Sequence, residues 1–202
     1  MSAYQLQWPP GALAIDQAFL DPENAGSAGV KPASITYGAT VVASTGGSIA
    51  QIDADLRDAL EAIGDSDLAT GYWVMKPSTA AYLATLRGSG GAPAYPGVTA
   101  RGGVLLGIPV ITSNAVGPDA NSPSESFIAL VIASEVLLAD DMSVRIDYTA
   151  QATLEMDDAP SAGAQPMVGL WQNGLVAIKA ERAINWRRRR STAAVTINGV
   201  TY

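Results

Sequence analysis

The sequence predicts an α+β fold in which a helix, strand and helix are followed by further strands, the last of them long and antiparallel. Three observations lead there. After the capping-box pair Ser48 and Gln51, apolar residues at Ile49, Ile52, Leu56, Ala59, Leu60 and Ile63 recur at helical spacing until Gly64. Residues 72–75 form a short apolar strand, and Pro77 then opens a helix with Tyr82, Leu83 and Leu86 on one side before Gly88 ends it. From Val144 onward, Val144, Ile146, Tyr148, Ala150, Ala152, Leu154 and Met156 alternate with polar residues as far as Asp157, which is the period of a strand with one dry and one wet face.

The remaining elements follow in chain order. Residues 1–11 are aromatic and proline-rich, and Leu13, Ala14, Asp16, Gln17, Phe19 and Leu20 predict a short helix that stops before Asp21-Pro22. Residues 24–47 are small and nearly uncharged, suiting either an ordered crossing over a larger body or a flexible linker. Residues 88–103 read as a glycine- and proline-rich loop, and 104–111 as one strand whose Pro109 marks an edge or an irregularity. A polar loop at 117–125 precedes 127–132, a continuous β-rich run that fits a strand buried on both faces. At about 3.3 Å per residue the alternating stretch 144–157 would span roughly 45 Å, so it is expected to protrude from a compact body. After the turn-rich 158–166, residues 175–190 can return antiparallel beside it, 192–197 make a closing strand, and Asn198-Gly199 marks a turn.

Composition narrows the chemistry. With 202 residues and 48% hydrophobic content the chain can bury a sizeable core without bridges or metals. It has no cysteine and no histidine, which excludes disulfides, Ser-His-Asp and Cys-His catalysis and nearly all zinc sites. No cofactor is expected, and an enzyme would have to work with carboxylates, lysine or tyrosine. The longest apolar run, 127–133, is far short of the roughly 20 residues of a membrane helix, and the start lacks a secretory signal. A cytoplasmic product without a membrane partner is the default expectation. A net charge of −7 confines any DNA contact to a local basic patch.

Four stretches carry a family resemblance. They are Ala14-Ile-Asp-Gln-Ala-Phe-Leu20 with the glycine-containing turn after it; Gly71-Tyr-Trp-Val-Met-Lys-Pro77 with Leu83 and Leu86; Gly107-Ile-Pro-Val110 with Ser113-Asn114; and a tail running from the alternating strand through Leu170-Trp-Gln-Asn-Gly-Leu-Val176, Glu181-Arg182 and Arg190-Ser-Thr-Ala193. In order and spacing they resemble the HK97-like major capsid proteins of tailed bacteriophages and prophages. Lys76 stands where that family usually has asparagine.

The resemblance implies an HK97-like capsid fold with an axial domain of mixed sheet and flanking helices at 48–139. It places the end of the spine helix and a crossing segment at 1–47, peripheral long strands at 140–190, and a strand at 191–202 that returns to the axial domain. It further implies a structural, non-enzymatic subunit that forms pentamers and hexamers of an icosahedral shell, located in the virion or, from a prophage, in the bacterial cytoplasm. Scaffold and portal proteins would be further partners, and packaged DNA a non-specific one. The family's arm, extended loop and most of its spine helix precede the point where this chain starts, so a truncated prophage product or an expressed fragment unable to close a stable shell alone is expected. Asn173 occupies the family's cross-linking position, but Ala180 replaces the glutamate that assists, so cross-linking is not implied. The alternative within the fold is an encapsulin-type compartment shell.

One charge run stands out, Arg187, Arg188, Arg189 and Arg190 after Trp186. It can clamp a neighbouring subunit by pairing with that subunit's Glu155, Asp157 or Asp158, pair within its own hairpin at a solvated strand end, or touch DNA. Asp65 with Asp67, Asp140-Asp141 and Asp157-Asp158 could bind calcium or be ordinary turn and helix-end acids, and none has an EF-hand ligand series. Ser89-Gly90-Gly91 lacks a phosphate-loop ending, while Tyr72 and Trp73 read as core.

Overall fold

The computed structural model describes residues 11–28, 31–64, 68–117, 125–155 and 167–202. Contacts divide the chain into a larger unit, Pro9–Leu138 with Asn185–Tyr202, and a smaller one containing Ala139–Ile184.

In the larger unit the described elements are α1 (Gly11–Leu20), β1 (Thr40–Ala43), α2 (Ile49–Ile63), β2 (Gly71–Met75), α3 (Pro77–Thr85), β3 (Val98–Thr99), β4 (Gly102–Leu105), β5 (Ile108–Thr112), β6 (Ser126–Ile132) and, at the C-terminus, β13 (Ala194–Val200). Seven of the strands form one mixed sheet in the order β1-β13-β6-β2-β5-β4-β3, with β1/β13 and β2/β5 parallel. Register explains the core. Trp73 lies opposite both Leu130 and Val110, and Leu130 also lies opposite Val195, so one face of the sheet carries a continuous apolar row. Ile52, Leu56, Ala59 and Ile63 of α2 and Ala80 and Leu83 of α3 bury against that row. Each fully buried large side chain contributes about 1.5–3 kcal/mol. The whole of β6 is buried, as its unbroken apolar run predicts.

Local chemistry sets the ends. Gln51 Oε1 accepts hydrogen bonds from Ser48 N at 3.2 Å and Ser48 Oγ at 2.6 Å, and Gly64 ends α2 at φ 62°. Asp55, buried on α2, accepts from Thr45 N at 3.0 Å, Thr45 Oγ1 at 2.7 Å and Ser44 Oγ at 3.2 Å, which ties the helix to the exit of β1. Tyr95 Oη donates to Asp53 Oδ1 at 2.7 Å, and burial together with that acid raises the phenol well above its ordinary range. Tyr202 is pushed up to about 12, chiefly by burial. Its carbonyl accepts from Thr79 Oγ1 at 2.8 Å, pinning the chain end to α3.

Several elements differ from expectation. Residues 104–111 are not one strand, because Leu106 (φ 52°) and Gly107 (φ 81°) make a two-residue turn between β4 and β5 with both central residues left-handed, the geometry that twist-matched hairpins favour. The preceding loop contributes β3 and the start of β4. Asn198-Gly199 is not a turn but a bulge inside β13, where pairing with β6 shifts between Ile197 and Val200. Tyr72 is partly exposed while Trp73 is fully buried, since alternate residues of β2 face opposite sides. Residues 24–47 are ordered where described, with Ser34, Ile35 and Thr36 buried. By contact, the described residues between 11 and 47 group with the larger unit. The Phe19 and Trp186 rings stand nearly perpendicular with centroids 5.3 Å apart, and Trp186 Nε1 donates to Ala33 O at 2.9 Å.

The long strand is interrupted. The smaller unit contains β8 (Arg145–Thr149), β9 (Thr153–Glu155), β10 (Met167–Gly169) and β11 (Ala177–Glu181), with β8 pairing β11 and β9 pairing β10, both antiparallel. The strand, though not the alternation, breaks at 150–152, where the opposing chain turns. Thr149 is the last partner of Ala177, Thr153 the first of Gly169, and between Gly169 and Ala177 lies a turn closed by Gly174 N to Trp171 O and Leu175 N to Leu170 O. Residues 156–166 lie outside the described set. The return segment likewise splits after β11, and β12 (Ile184–Arg188) pairs instead with β7 (Val136–Asp140).

Candidate assembly interface

The arginine run begins on β12, where period two separates its members. Arg188 points with buried Trp186 toward residues 33–38 and donates to Ile35 O at 2.9 Å and to Tyr37 O and Gly38 O at 3.1 Å each. Burial lowers its pKa from the ordinary arginine value. Arg190 approaches Glu135 at 3.6 Å, a pair made within the larger unit. Arg187 and Arg189 are exposed, and their side chains make no ion pair among the described residues. The run is therefore one internal tie, one local pair and two outward cations. Glu155 is half-buried on β9. Asp157 and Asp158, like Asp65 and Asp67, lie outside the described residues.

Asp140 and Asp141 are loop-forming acids. Asp140 Oδ1 accepts from Met142 N at 2.9 Å and Asp141 Oδ1 from Ser143 N at 3.2 Å. Arg182 grips both oxygens of Asp140, with Nε to Oδ1 at 3.0 Å, and holds that carboxyl below the usual carboxylate range. No group of three or more acids able to hold a metal occurs among the described residues, and no described helix is long and apolar enough to cross a membrane.

The β8/β11 ribbon has two unlike faces. Opposite pairs Tyr148/Ile178 and Ile146/Ala180 line one, while Arg145, Asp147, Lys179 and Glu181 line the other. The charged face satisfies itself through Arg145–Asp147 at 2.9 Å and Lys179–Glu181 along the strands, with Lys179 opposite Asp147 and Glu181 opposite Arg145. The apolar face, expected to be dry, is wet in this chain, with Tyr148 83% and Ile178 75% exposed. Trp171 is 77% exposed at the tip of the turn beyond β10, above buried Leu170. Alternation in the sequence identified this face. It carried no signal that these side chains are exposed.

These features sit on a chain with clear relatives. The sequence pattern of the phage capsid family matches residues 12–182. The capsid polyprotein of Pseudomonas phage PAJU2 is 37% identical over 193 residues, covering 93% of this chain and 28% of the relative. Among solved structures, the capsid of the native GTA particle superposes with TM-score 0.62 at 17% identity, over 94% of this chain and 62% of that one. Gordonia phage Cozz gives 0.59 at 18% identity, over 92% and 58%. The chain thus spans little more than a quarter of its curated relative and about three-fifths of these solved chains. A mixed sheet flanked by helices, extended two-stranded ribbons and a family match over most of its length place this chain in the phage capsid family, with an HK97-like fold.

Proposed function

We propose that this chain is the greater part of a major capsid subunit, a structural protein of a phage virion that works by repeated contact with copies of itself and makes or breaks no bond. The observation that carries the reading is the smaller unit, whose described strands form two-stranded ribbons with large apolar side chains left in solvent. Isolated ribbons of this kind are marginal in water, so such a unit fits a role completed by neighbours. In this reading, residues 48–139 with the closing strand form a wedge about five- and six-fold axes, and the ribbons of 140–190 bridge capsomers. Head-to-tail contacts close into pentamers and hexamers when the rotation between copies fits. The clamp narrows to Arg187 and Arg189 reaching Glu155, Asp157 or Asp158 of a neighbour, since Arg188 and Arg190 are held within the chain. Exposed pairs of this type contribute about 0–1 kcal/mol each, so they set register more than strength. A net charge of −7 disfavours phosphate contact, so packaged DNA is at most a non-specific partner, and scaffold or portal proteins are the candidates for others. Negative-stain microscopy of the full-length protein tests this. Closed shells of uniform diameter are expected, and a product that stays monomeric or dimeric under every assembly condition tried overturns the proposal.

A further inference from the structure

We infer that β13 is a clasp that docks after the rate-limiting step of folding, so that its contacts set how slowly the larger unit unfolds while leaving the folding rate unchanged. This role follows from topology and holds whether or not the chain builds a shell. Among the described strands β1 pairs with β13 alone, in parallel, and β6 lies antiparallel on the other side of β13. The groove that β13 fills is therefore built from residues 40–43 and 126–132, and it is faced by α2, against which Val195, Ile197 and Val200 bury. No such groove exists until α2 and β6 are in place. The strands β6-β2-β5-β4-β3 need nothing from β13, since Trp73 lies opposite both Leu130 and Val110, and β4 and β5 form a hairpin.

Chain entropy points the same way. Closing a loop costs more as it lengthens, and that cost precedes the pairing that rewards it. A two-residue turn joins β4 to β5, whereas β13 arrives only after the stretch Ala139–Ile184 of the smaller unit has intervened. Its polar ties reach as far. Ser126 Oγ donates to Val200 O across 74 positions at 3.3 Å, and Thr79 Oγ1 donates to Tyr202 O across 123 positions at 2.8 Å. Ser44 N donates to Asn198 O at 2.8 Å, and the same serine bonds Asp55 of α2, so the seated strand fixes the exit of β1 from a second side. Burial at the clasp is deep, with Ala194, Val195, Thr196 and Ile197 each at most 1% exposed. Contacts absent from the transition state slow unfolding without speeding folding, so one late strand gives the native sheet a long lifetime.

The test measures folding and unfolding rates of the whole chain in urea by stopped-flow tryptophan fluorescence, with pulse-labelled hydrogen exchange during refolding beside it. Ile197→Val removes one methylene from β13. It is expected to speed unfolding by roughly two- to tenfold and to change the folding rate by less than about 1.5-fold. Ile108→Val, the same change in β5, is expected to slow folding by at least the factor by which it speeds unfolding. In the labelling experiment the amides of β2 and β5 are expected to gain protection before those of 194–200. Labelling uses the unmodified chain, so it decides the order of docking even if a variant misfolds. Protection of β13 together with β5, or ahead of it, overturns the clasp. So does an Ile197→Val variant whose loss falls mainly on the folding rate. Either result leaves the capsid reading untouched, because microscopy of the full-length protein decides that separately.

Discussion

Replacing Arg188 by methionine separates the internal arginine from its neighbours. The guanidinium donates to three carbonyls, of which Ile35 O belongs to a buried residue while Tyr37 and Gly38 are exposed. A hydrogen bond from a charged donor contributes about 1.5–3 kcal/mol, and its loss is felt most where the abandoned carbonyl cannot reach water. Taking about 2 kcal/mol for the bond to Ile35 and about 0.5 kcal/mol for each of the two solvent-accessible ones gives roughly 3 kcal/mol for Arg188→Met. Methionine retains much of the aliphatic packing, so the deficit is mainly polar. Arg188→Lys recovers one bond and is expected to lose about 1.5–2 kcal/mol, because an ammonium cannot span three carbonyls as the planar fork does. Arg187→Met and Arg189→Met change side chains that face solvent and are expected to stay within about 0.5 kcal/mol of the parent. Urea unfolding followed by circular dichroism measures all four, and the Arg188→Met deficit corresponds to a melting temperature lower by about 6–12 °C. Equal losses at positions 187 and 188, or a loss below about 0.5 kcal/mol at 188, would refute the assignment of an internal tie.

Three further outcomes are expected. Gly103→Ala should destabilise by about 3 kcal/mol or more, since a Cβ there would stand 2.1 Å from Gly97 O on a backbone at φ 142°, and thermal melting checks it. Leu106→Asn should stabilise by about 0.5–1 kcal/mol, because asparagine tolerates the left-handed conformation that leucine is forced into here, and a lower melting temperature would speak against the turn. The Asp140 carboxyl should titrate below the ordinary carboxylate value of about 3.9, chiefly because Arg182 bonds it, and Arg182→Gln should move its NMR midpoint back upward. With the folded-state value depressed, that pair's contribution is complete above the unfolded value and disappears as pH falls through the folded one.

Much of the larger unit was legible because its signals are local. Ser48 with Gln51, the helical spacing to Ile63, Pro77 at a helix start and the unbroken run of β6 each state their structure within a few residues. The Leu106-Gly107 turn was hidden because leucine is an unusual residue for a positive φ, and only pairing between β4 and β5 forces it. Asn198-Gly199 carries the same residues whether it turns the chain or bulges a strand, and β6 alongside decides which.

The site divides in the same way. Period two from Val144 specified by itself which side chains share a face, since that follows from the geometry of one extended strand. Whether the strand continues past Thr149 depended on a turn in its partner, and whether the apolar face is dry depended on what the rest of the chain places over it. The sequence likewise showed four arginines in a row. Their division into an internal tie at Arg188 and outward cations at Arg187 and Arg189 came from the carbonyls that residues 35–38 bring to one side of β12. Backbone periodicity is written into neighbouring residues, whereas burial and hydrogen-bond partners are set by segments as much as 153 positions away, and only the folded chain brings those together.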